Sequence, residues 1–145
     1  MRPNRRKHDE RGSATIEAAI GVPAFALFVG LIIFGGRTAT THEAVQSAAA
    51  YAARAASIAR TSAEAQGAGG RAARESLAAQ QIDCRSVSVS VSSAGFSAPV
   101  GEAATVSVTV ACRLDLSDLS VPGVPGSRVI RARMSSPIDT WRERS

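Results

Sequence analysis

The stretch Ala18–Phe34 reads AAIGVPAFALFVGLIIF, and it decides the organisation of the whole chain. With Gly35 and Gly36 it gives 19 consecutive residues without a charged or strongly polar side chain before Arg37. At about 1.5 Å per residue, a helix of that length nearly crosses the hydrocarbon core of a bilayer, which is about 30 Å thick. Because backbone groups in lipid must be bonded internally, the sequence predicts one transmembrane helix over residues 13–36.

Two other interpretations of the apolar stretch are open. A core helix of a soluble protein usually has an apolar run of about 10–14 residues. A cleaved secretory signal has an apolar region of about 7–15 residues followed by small residues, which Thr38–Thr40 or Ala48–Ala50 would provide. The 19-residue run exceeds both lengths, so a membrane helix is preferred. Pro23 predicts a kink or loosened first turns in this helix.

The positions of the cations indicate the orientation of the helix. The chain has 17 Lys and Arg against 12 Asp and Glu, a formal net charge of +5. Residues 1–12 hold five cations and two anions and therefore contribute +3 of that total. Since Lys and Arg are retained in the cytoplasm, residues 1–12 are predicted to be a basic cytoplasmic leader and the chain after Arg37 to be extracytoplasmic. A basic leader is not a basic face on a folded domain, so nucleic acid is not an expected partner.

One acidic residue stands out at the start of the apolar region. Glu17 follows Gly12 by five positions. An unpaired carboxylate near a bilayer is costly, so such a group usually has a partner and a function. The alternative is that Glu17 lies at the level of the lipid headgroups, where the dipole of the helix N-terminus favours a negative charge.

A wider motif favours the functional interpretation. The run Arg11-Gly12-Ser13-Ala14-Thr15-Ile16-Glu17, followed by Pro23 and an apolar stretch ending in Phe34-Gly35-Gly36-Arg37, resembles the TadE-like family of minor pseudopilins. These proteins are part of the tight-adherence (Flp-type) branch of type IV pilus systems. The resemblance is specific over residues 11–37, weaker to about residue 60, and only architectural beyond. Ala18 departs from the tyrosine usual in the major pilin and from the phenylalanine common in TadE-like members, which argues against a major pilin.

The resemblance implies how the N-terminus is processed. A prepilin peptidase would cut between Gly12 and Ser13 and leave Glu17 as the fifth residue of the mature chain. The new ammonium of Ser13 in one subunit can then pair with Glu17 of its neighbour, in a low dielectric where such a pair enforces register. The implied partners are the membrane, the prepilin peptidase, other pilus or pseudopilin subunits, and the inner-membrane assembly platform.

Residues 37–81 are predicted to form an Ala- and Arg-rich helical region. Alanines favour helix from Thr38 to Arg60, and helical spacing places a set of small side chains on one face: Val45, Ala48, Ala52, Ala55 or Ala56, and Ala59. The glycines of Gly67–Gly70 predict a flexible break, followed by a short second helix over Arg71–Gln81. The alternative is that Thr61–Gln66 and Arg71–Gln81 form one helix interrupted by the glycines.

Residues 82–145 are predicted to be a small β-rich region. Three segments have apolar side chains at every second position: Val87–Val91, Val106–Val110 and Ile130–Met134. The predicted fold is therefore α+β, with a long N-terminal transmembrane helix, an extracytoplasmic helical extension, and an antiparallel sheet of about three strands.

Cys84 and Cys112, the two cysteines of the chain, are predicted to form a disulfide on the oxidising side of the membrane. One begins the first strand and the other ends the second, so a hairpin brings them together. Pairing valine with valine places Cys84 opposite Arg113, so a bulge or an irregular first residue is required. Buried free thiols are the alternative.

The sequence contains no recognisable catalytic or metal site, and no cofactor is expected. His8 and His42 are predicted to lie on opposite sides of the membrane, and no nucleophile–base pair is visible. We therefore expect a single-pass cell-membrane protein without enzymatic activity, acting as a minor pseudopilin or assembly component. The alternative is a small binding domain, secreted or membrane-tethered, without a pilus role.

Overall fold

The computed structural model describes residues 11–92, 94–119, 122–123 and 125–141, with side chains from residue 14 onward. Residues 1–10, which include most of the predicted leader and His8, lie outside the described residues. The described residues form two helices and three strands: α1 (Arg11–Ser57), α2 (Ser62–Ala79), β1 (Cys84–Ser92), β2 (Ala104–Asp115) and β3 (Ser127–Ile138). Short 3-10 turns lie at Ala94–Ser97 and Ser117–Leu119. The predicted α+β fold is confirmed.

Helix α1 is one uninterrupted helix of 47 residues. At about 1.5 Å per residue it is about 70 Å long. The predicted membrane segment and the first part of the predicted helical region therefore belong to the same helix. Pro23 lies inside the helix, which continues on both sides of it. The N-terminal part projects away from the rest of the molecule, and the C-terminal part packs into the core.

The predicted glycine break is wrong, because helix α2 runs through Gly67–Gly70 without interruption. The two helices separate earlier, at residues 58–61, and Thr61 caps α2 by accepting a hydrogen bond from the Glu64 amide at 3.1 Å. The glycines instead permit close packing. A Cβ on Gly69 would lie 3.2 Å from Cγ2 of Val91 and 3.4 Å from the carbonyl oxygen of Ala52.

The three strands form one antiparallel sheet in the order β1-β2-β3, covered on one face by the two helices. Helix α1 packs on β2 and β3, and α2 packs on α1 and β1. The buried side chains are mostly small, chiefly Ala44, Val45, Ala48, Ala49, Ala52, Ala53 and Ala56 from α1 and Val106, Val108, Val110 and Cys112 from β2. The predicted apolar face of α1 is thus present; of the two alternatives Ala55 and Ala56, the buried one is Ala56.

The register of β1 on β2 differs from a full valine-to-valine alignment by two residues. Val89 pairs with Val110 and Val91 with Val108, but Val87 pairs with Cys112. The expected irregularity is present as a register shift between Cys84 and Ser86, and Cys84 lies beside Leu114, not beside the Arg113 that the valine-to-valine alignment predicts. The extra residue at this bulge brings the first cysteine within reach of the second.

Candidate functional site in the N-terminal helix

The candidate processing motif occupies the first two turns of helix α1. Gly12 and Ser13 lie within the helical backbone, and their side-chain surroundings are outside what the structure describes. Glu17 is exposed, and no described side chain forms a hydrogen bond or ion pair with it. Because Glu17 follows Ser13 by four positions, the two residues lie on the same face of the helix, about one turn apart.

The apolar stretch that follows is exposed as far as Ile33, apart from the half-buried Gly30, and its last residue, Phe34, is half-buried against the core. Phe25 is 69% exposed, Phe28 is 61% exposed, and even Ile33, near the end of the stretch, is 45% exposed. The helix from Ala14 contains an 18-residue window with a mean hydropathy of 2.3, none of which is buried within the protein. By length and composition this segment is sufficient to cross a membrane. An unpartnered apolar surface of this size indicates burial against lipid or other protein.

Three threonines mark the place where the apolar stretch meets the folded domain. The Thr38 hydroxyl donates to the carbonyl oxygen of Phe34 at 2.9 Å, and the Thr41 hydroxyl donates to that of Arg37 at 2.7 Å. Thr40 bonds in the same way to Gly36 at 2.7 Å. These bonds satisfy the hydroxyls within the helix itself, so α1 passes from an apolar to a polar environment without interruption.

Arg37 connects this part of α1 to the sheet. Its Nη1 lies 2.7 Å from Oδ2 of Asp118, in the turn after β2. Both side chains are about half exposed, so the pair contributes little to stability and acts mainly by holding the turn against the helix. In the sequence, Arg37 is recognisable as the first charged residue after the apolar run. Its partner Asp118 could not be predicted, because it lies 81 positions away in a turn that no sequence pattern identifies.

The two cysteines predicted to pair are bonded to each other, and their Cα atoms are 5.4 Å apart. Cys112 is fully buried and Cys84 half-buried. The disulfide closes the end of the β1–β2 hairpin nearest to the threonines of α1.

No three His, Cys, Asp or Glu side chains within the described ranges are arranged to hold a metal ion. His42 shares a hydrogen bond with Gln46 at 3.3 Å on the surface of α1. The hydroxyl of Ser117, 2.7 Å from Oδ1 of Asp115, lowers the pKa of that carboxyl below 3.8, an effect of the turn after β2.

Comparisons with known proteins bear on the N-terminal segment alone. No curated protein and no solved structure matches the chain. Residues 12–54, which begin at Gly12 and cover most of helix α1, match the family model described as TadE-like protein, in agreement with the resemblance that the motif of this segment indicates.

Proposed function

We propose that this protein is a membrane-anchored minor pseudopilin, or an assembly component, of a tight-adherence (Flp-type) pilus or secretion system, with a structural and not a catalytic role. The observation that carries the proposal is the position of Glu17. It is a carboxylate without a described partner, five residues after a glycine, on an exposed helix that continues into an apolar segment. The TadE-like match over residues 12–54 supports the same conclusion.

The placement of the core supports an anchor that stays attached to its domain. Ala44, Val45, Ala48 and Ala49 are all at most 2% exposed and form part of the alanine face that packs on the sheet. Cleavage by signal peptidase at Ala48–Ala50 would remove these residues from the domain and uncover β2 and β3. A cut after Gly12 removes none of the described core.

The helical start of the motif is compatible with proteolysis. The bond between Gly12 and Ser13 lies in the first turn of α1, whose amide groups have no partners earlier in the helix. Such a turn unwinds at little cost, so a peptidase can bind it in an extended conformation. Cleavage there would place an ammonium on Ser13 one turn from Glu17, where it can neutralise the carboxylate of a neighbouring subunit.

The outer surface of the two helices suits packing into an assembly. An open groove of about 620 Å³ runs between α1 and α2 on the side away from the sheet. Its apolar lining includes Tyr51 and Ile58, which are 62% and 66% exposed, and alanines such as Ala72 and Ala79. Small side chains of this kind allow a helix from another subunit to approach closely.

The test of this proposal is the N-terminal sequence of the mature protein. The full chain is expressed in cells with and without the prepilin peptidase, and the membrane fraction is collected after alkaline carbonate extraction. We expect the protein to resist extraction in both strains and to begin at Ser13 only where the peptidase is present. A mature chain that begins beyond Thr38 would support a secreted domain, and an intact Met1 in both strains would leave only an anchor.

Matched glycine variants make this test specific. Gly12→Val should block processing, because a branched side chain obstructs access to the scissile bond. Gly21→Val is the control, since a Cβ at Gly21 meets no atom within 4 Å and the variant adds the same bulk to the same helix. Loss of processing in both variants would contradict the assignment of Gly12.

A further inference from the structure

An open cavity lies between helix α1 and the edge strand β3, at the level where α1 leaves its apolar stretch. Its volume is about 460 Å³. Phe34 and Ile130 supply apolar surface, and His42, Arg128 and Arg131 supply polar and cationic groups. This combination of an apolar wall and a basic rim is unlike the acidic surroundings on the other side of α1, where Asp83, Asp115 and Asp118 lie.

The cations of this cavity are not neutralised by the protein. None of the described residues that line the cavity is acidic. The two ion pairs found within the described residues use other arginines, Arg37 with Asp118 and Arg85 with Asp115. Arg128 and Arg131 are exposed and have no carboxylate partner in the described part of the chain. Because side chains alternate along a strand, Arg128 lies on the helix-facing side of β3 with Ile130, and Arg131 lies on its outer side. The cavity at the edge of the sheet is therefore bordered by one unpaired arginine from each side of β3.

With the apolar stretch of α1 in a membrane, the position of the cavity along α1 determines how deep the cavity lies in that membrane. Phe34 is the last large apolar residue, and Thr38 and His42 follow it by four and eight positions, about 6 and 12 Å along the helix axis. The headgroup layer on each side of a bilayer is about 5–8 Å thick, half the difference between the total and hydrocarbon thicknesses. The cavity begins at the hydrocarbon boundary and extends through this layer.

We propose that this cavity binds the headgroup phosphate of an anionic phospholipid in the leaflet nearest to the folded domain. Arg128 and Arg131 hold the phosphate through charge-assisted hydrogen bonds, and Phe34 contacts the beginning of an acyl chain. A lipid fits because it offers a phosphate and hydrocarbon together, as the basic rim and the apolar wall require. The inference rests on the membrane anchoring in the proposed function, and it would fix the tilt of the domain against the membrane.

The experiment compares lipid retention by the full chain. The protein is purified in mild detergent and titrated with dioleoyl phosphatidylglycerol or dioleoyl phosphatidylcholine, and bound lipids are counted by native mass spectrometry. We expect phosphatidylglycerol to be retained preferentially. The variant R128Q/R131Q should bind phosphatidylglycerol about tenfold more weakly, with little change in phosphatidylcholine retention.

The matched control is R113Q/R133Q, which removes the same charge from the outer face of the same sheet but outside the cavity. We expect it to bind phosphatidylglycerol within about twofold of the wild type. Equal losses in the two double variants would overturn the proposal, because they would indicate diffuse attraction to the whole sheet. An absence of preference for phosphatidylglycerol in the wild type would overturn it as well.

Two further measurements distinguish a failure of the lipid-binding proposal from a failure of the proposed membrane anchoring. If inorganic phosphate at millimolar concentration displaces the lipid completely, the site recognises a soluble anion and the lipid proposal is wrong. Carbonate extraction of the same proteins reports on anchoring independently. A chain that is extracted contradicts the proposed function, whereas a chain that stays in the membrane without lipid preference contradicts only the lipid site.

Discussion

Cys84 and Cys112 are joined by a disulfide although they are not direct neighbours in the sheet: Cys84 pairs with Leu114, and Cys112 pairs with Val87. The bulge after Cys84 makes the diagonal link possible, since the two Cα atoms are only 5.4 Å apart. The bond closes a loop with a sequence separation of 28 in a domain whose core contains mainly alanine and valine. A thin core of this kind benefits strongly from a covalent cross-link.

We expect Cys84→Ala/Cys112→Ala to lower the free energy of unfolding by about 3–4 kcal/mol, the chain-entropy value for a loop of this length. Urea unfolding of the full chain in mild detergent, followed by pulse proteolysis, measures the change. Wild-type protein treated with a reductant is the control and should be destabilised by a similar amount. Equal stability of the oxidised and reduced wild-type proteins would show that the disulfide does not support the fold.

Two glycines of helix α2 should respond to alanine in opposite directions. At Gly67 a Cβ would meet only Nη1 of Arg71 at 3.6 Å, an ordinary contact, so Gly67→Ala should stabilise the protein by about 0.5–1 kcal/mol through helix propensity. At Gly69 the same change places a methyl group 3.2 Å from Val91 and 3.4 Å from the Ala52 carbonyl. Gly69→Ala should therefore destabilise by about 1–3 kcal/mol, the usual cost of overpacking.

The same urea unfolding assay measures both glycine variants, and each serves as the control for the other. If both alanines were stabilising, the glycines would act only as weak helix formers and not as a packing contact between α2, α1 and β1. If both were destabilising, the flexible break predicted by the sequence would describe α2 better than a continuous helix.

The features that sequence patterns predicted are those set by a repeated local property. The apolar run of Ala18–Phe34 indicates a helix in an apolar environment, and the alternating valines of β1 and β2 indicate strands with one buried face. The helix and the sheet could therefore be predicted from the sequence. The glycines of Gly67–Gly70 gave a wrong prediction, because glycine occurs both in flexible breaks and at close contacts between helices. Only the tertiary packing distinguishes the two cases. The ion pair of Arg37 with Asp118 depends on how a loop folds back over 81 positions, which no local pattern encodes.

The turn after β2 should give the protein a measurable acid sensitivity. The Ser117 hydroxyl, with the Ser117 amide at 3.0 Å, lowers the pKa of Asp115 from 3.8 because both donate to the ionised carboxylate. A group with a depressed pKa in the folded state stabilises it above the unfolded pKa, and this contribution is lost as the pH falls through the lower, folded value. Ser117→Ala should raise the pKa of Asp115 back towards its ordinary value, so that the contribution becomes smaller and its loss is complete at a higher pH.

An NMR titration of the Asp115 carboxyl carbon between pH 6 and pH 2 measures this shift. Ser92→Ala, on the exposed end of β1, is the matched control and should leave the Asp115 titration unchanged. If Asp115 titrates in the same way in the wild type and in Ser117→Ala, the Ser117 hydroxyl is not the cause of the lowered pKa. Arg85 is then the nearest described cation that could lower it, since its Nη1 lies 3.6 Å from Oδ2 of Asp115.

The last prediction concerns the carboxylate at the start of the apolar helix. Glu17→Ala should leave membrane insertion intact, because it removes a charge from the edge of an apolar segment and so lowers the cost of burial. It should nevertheless abolish pilus assembly, since the ammonium of a neighbouring subunit would lose its partner in a low dielectric. Carbonate extraction measures insertion, and electron microscopy of the cell surface measures piliation.

Glu43→Ala is the matched control for Glu17→Ala, because Glu43 is an exposed carboxylate on the same helix but lies after Arg37, beyond the apolar stretch. It should assemble normally. Glu17→Gln separates charge from polarity: a glutamine retains hydrogen bonding but cannot neutralise an ammonium, so it should fail as alanine does. Normal piliation with Glu17→Ala would mean that the carboxylate merely lies among the headgroups, and any function of the segment would then depend on its apolar surface alone.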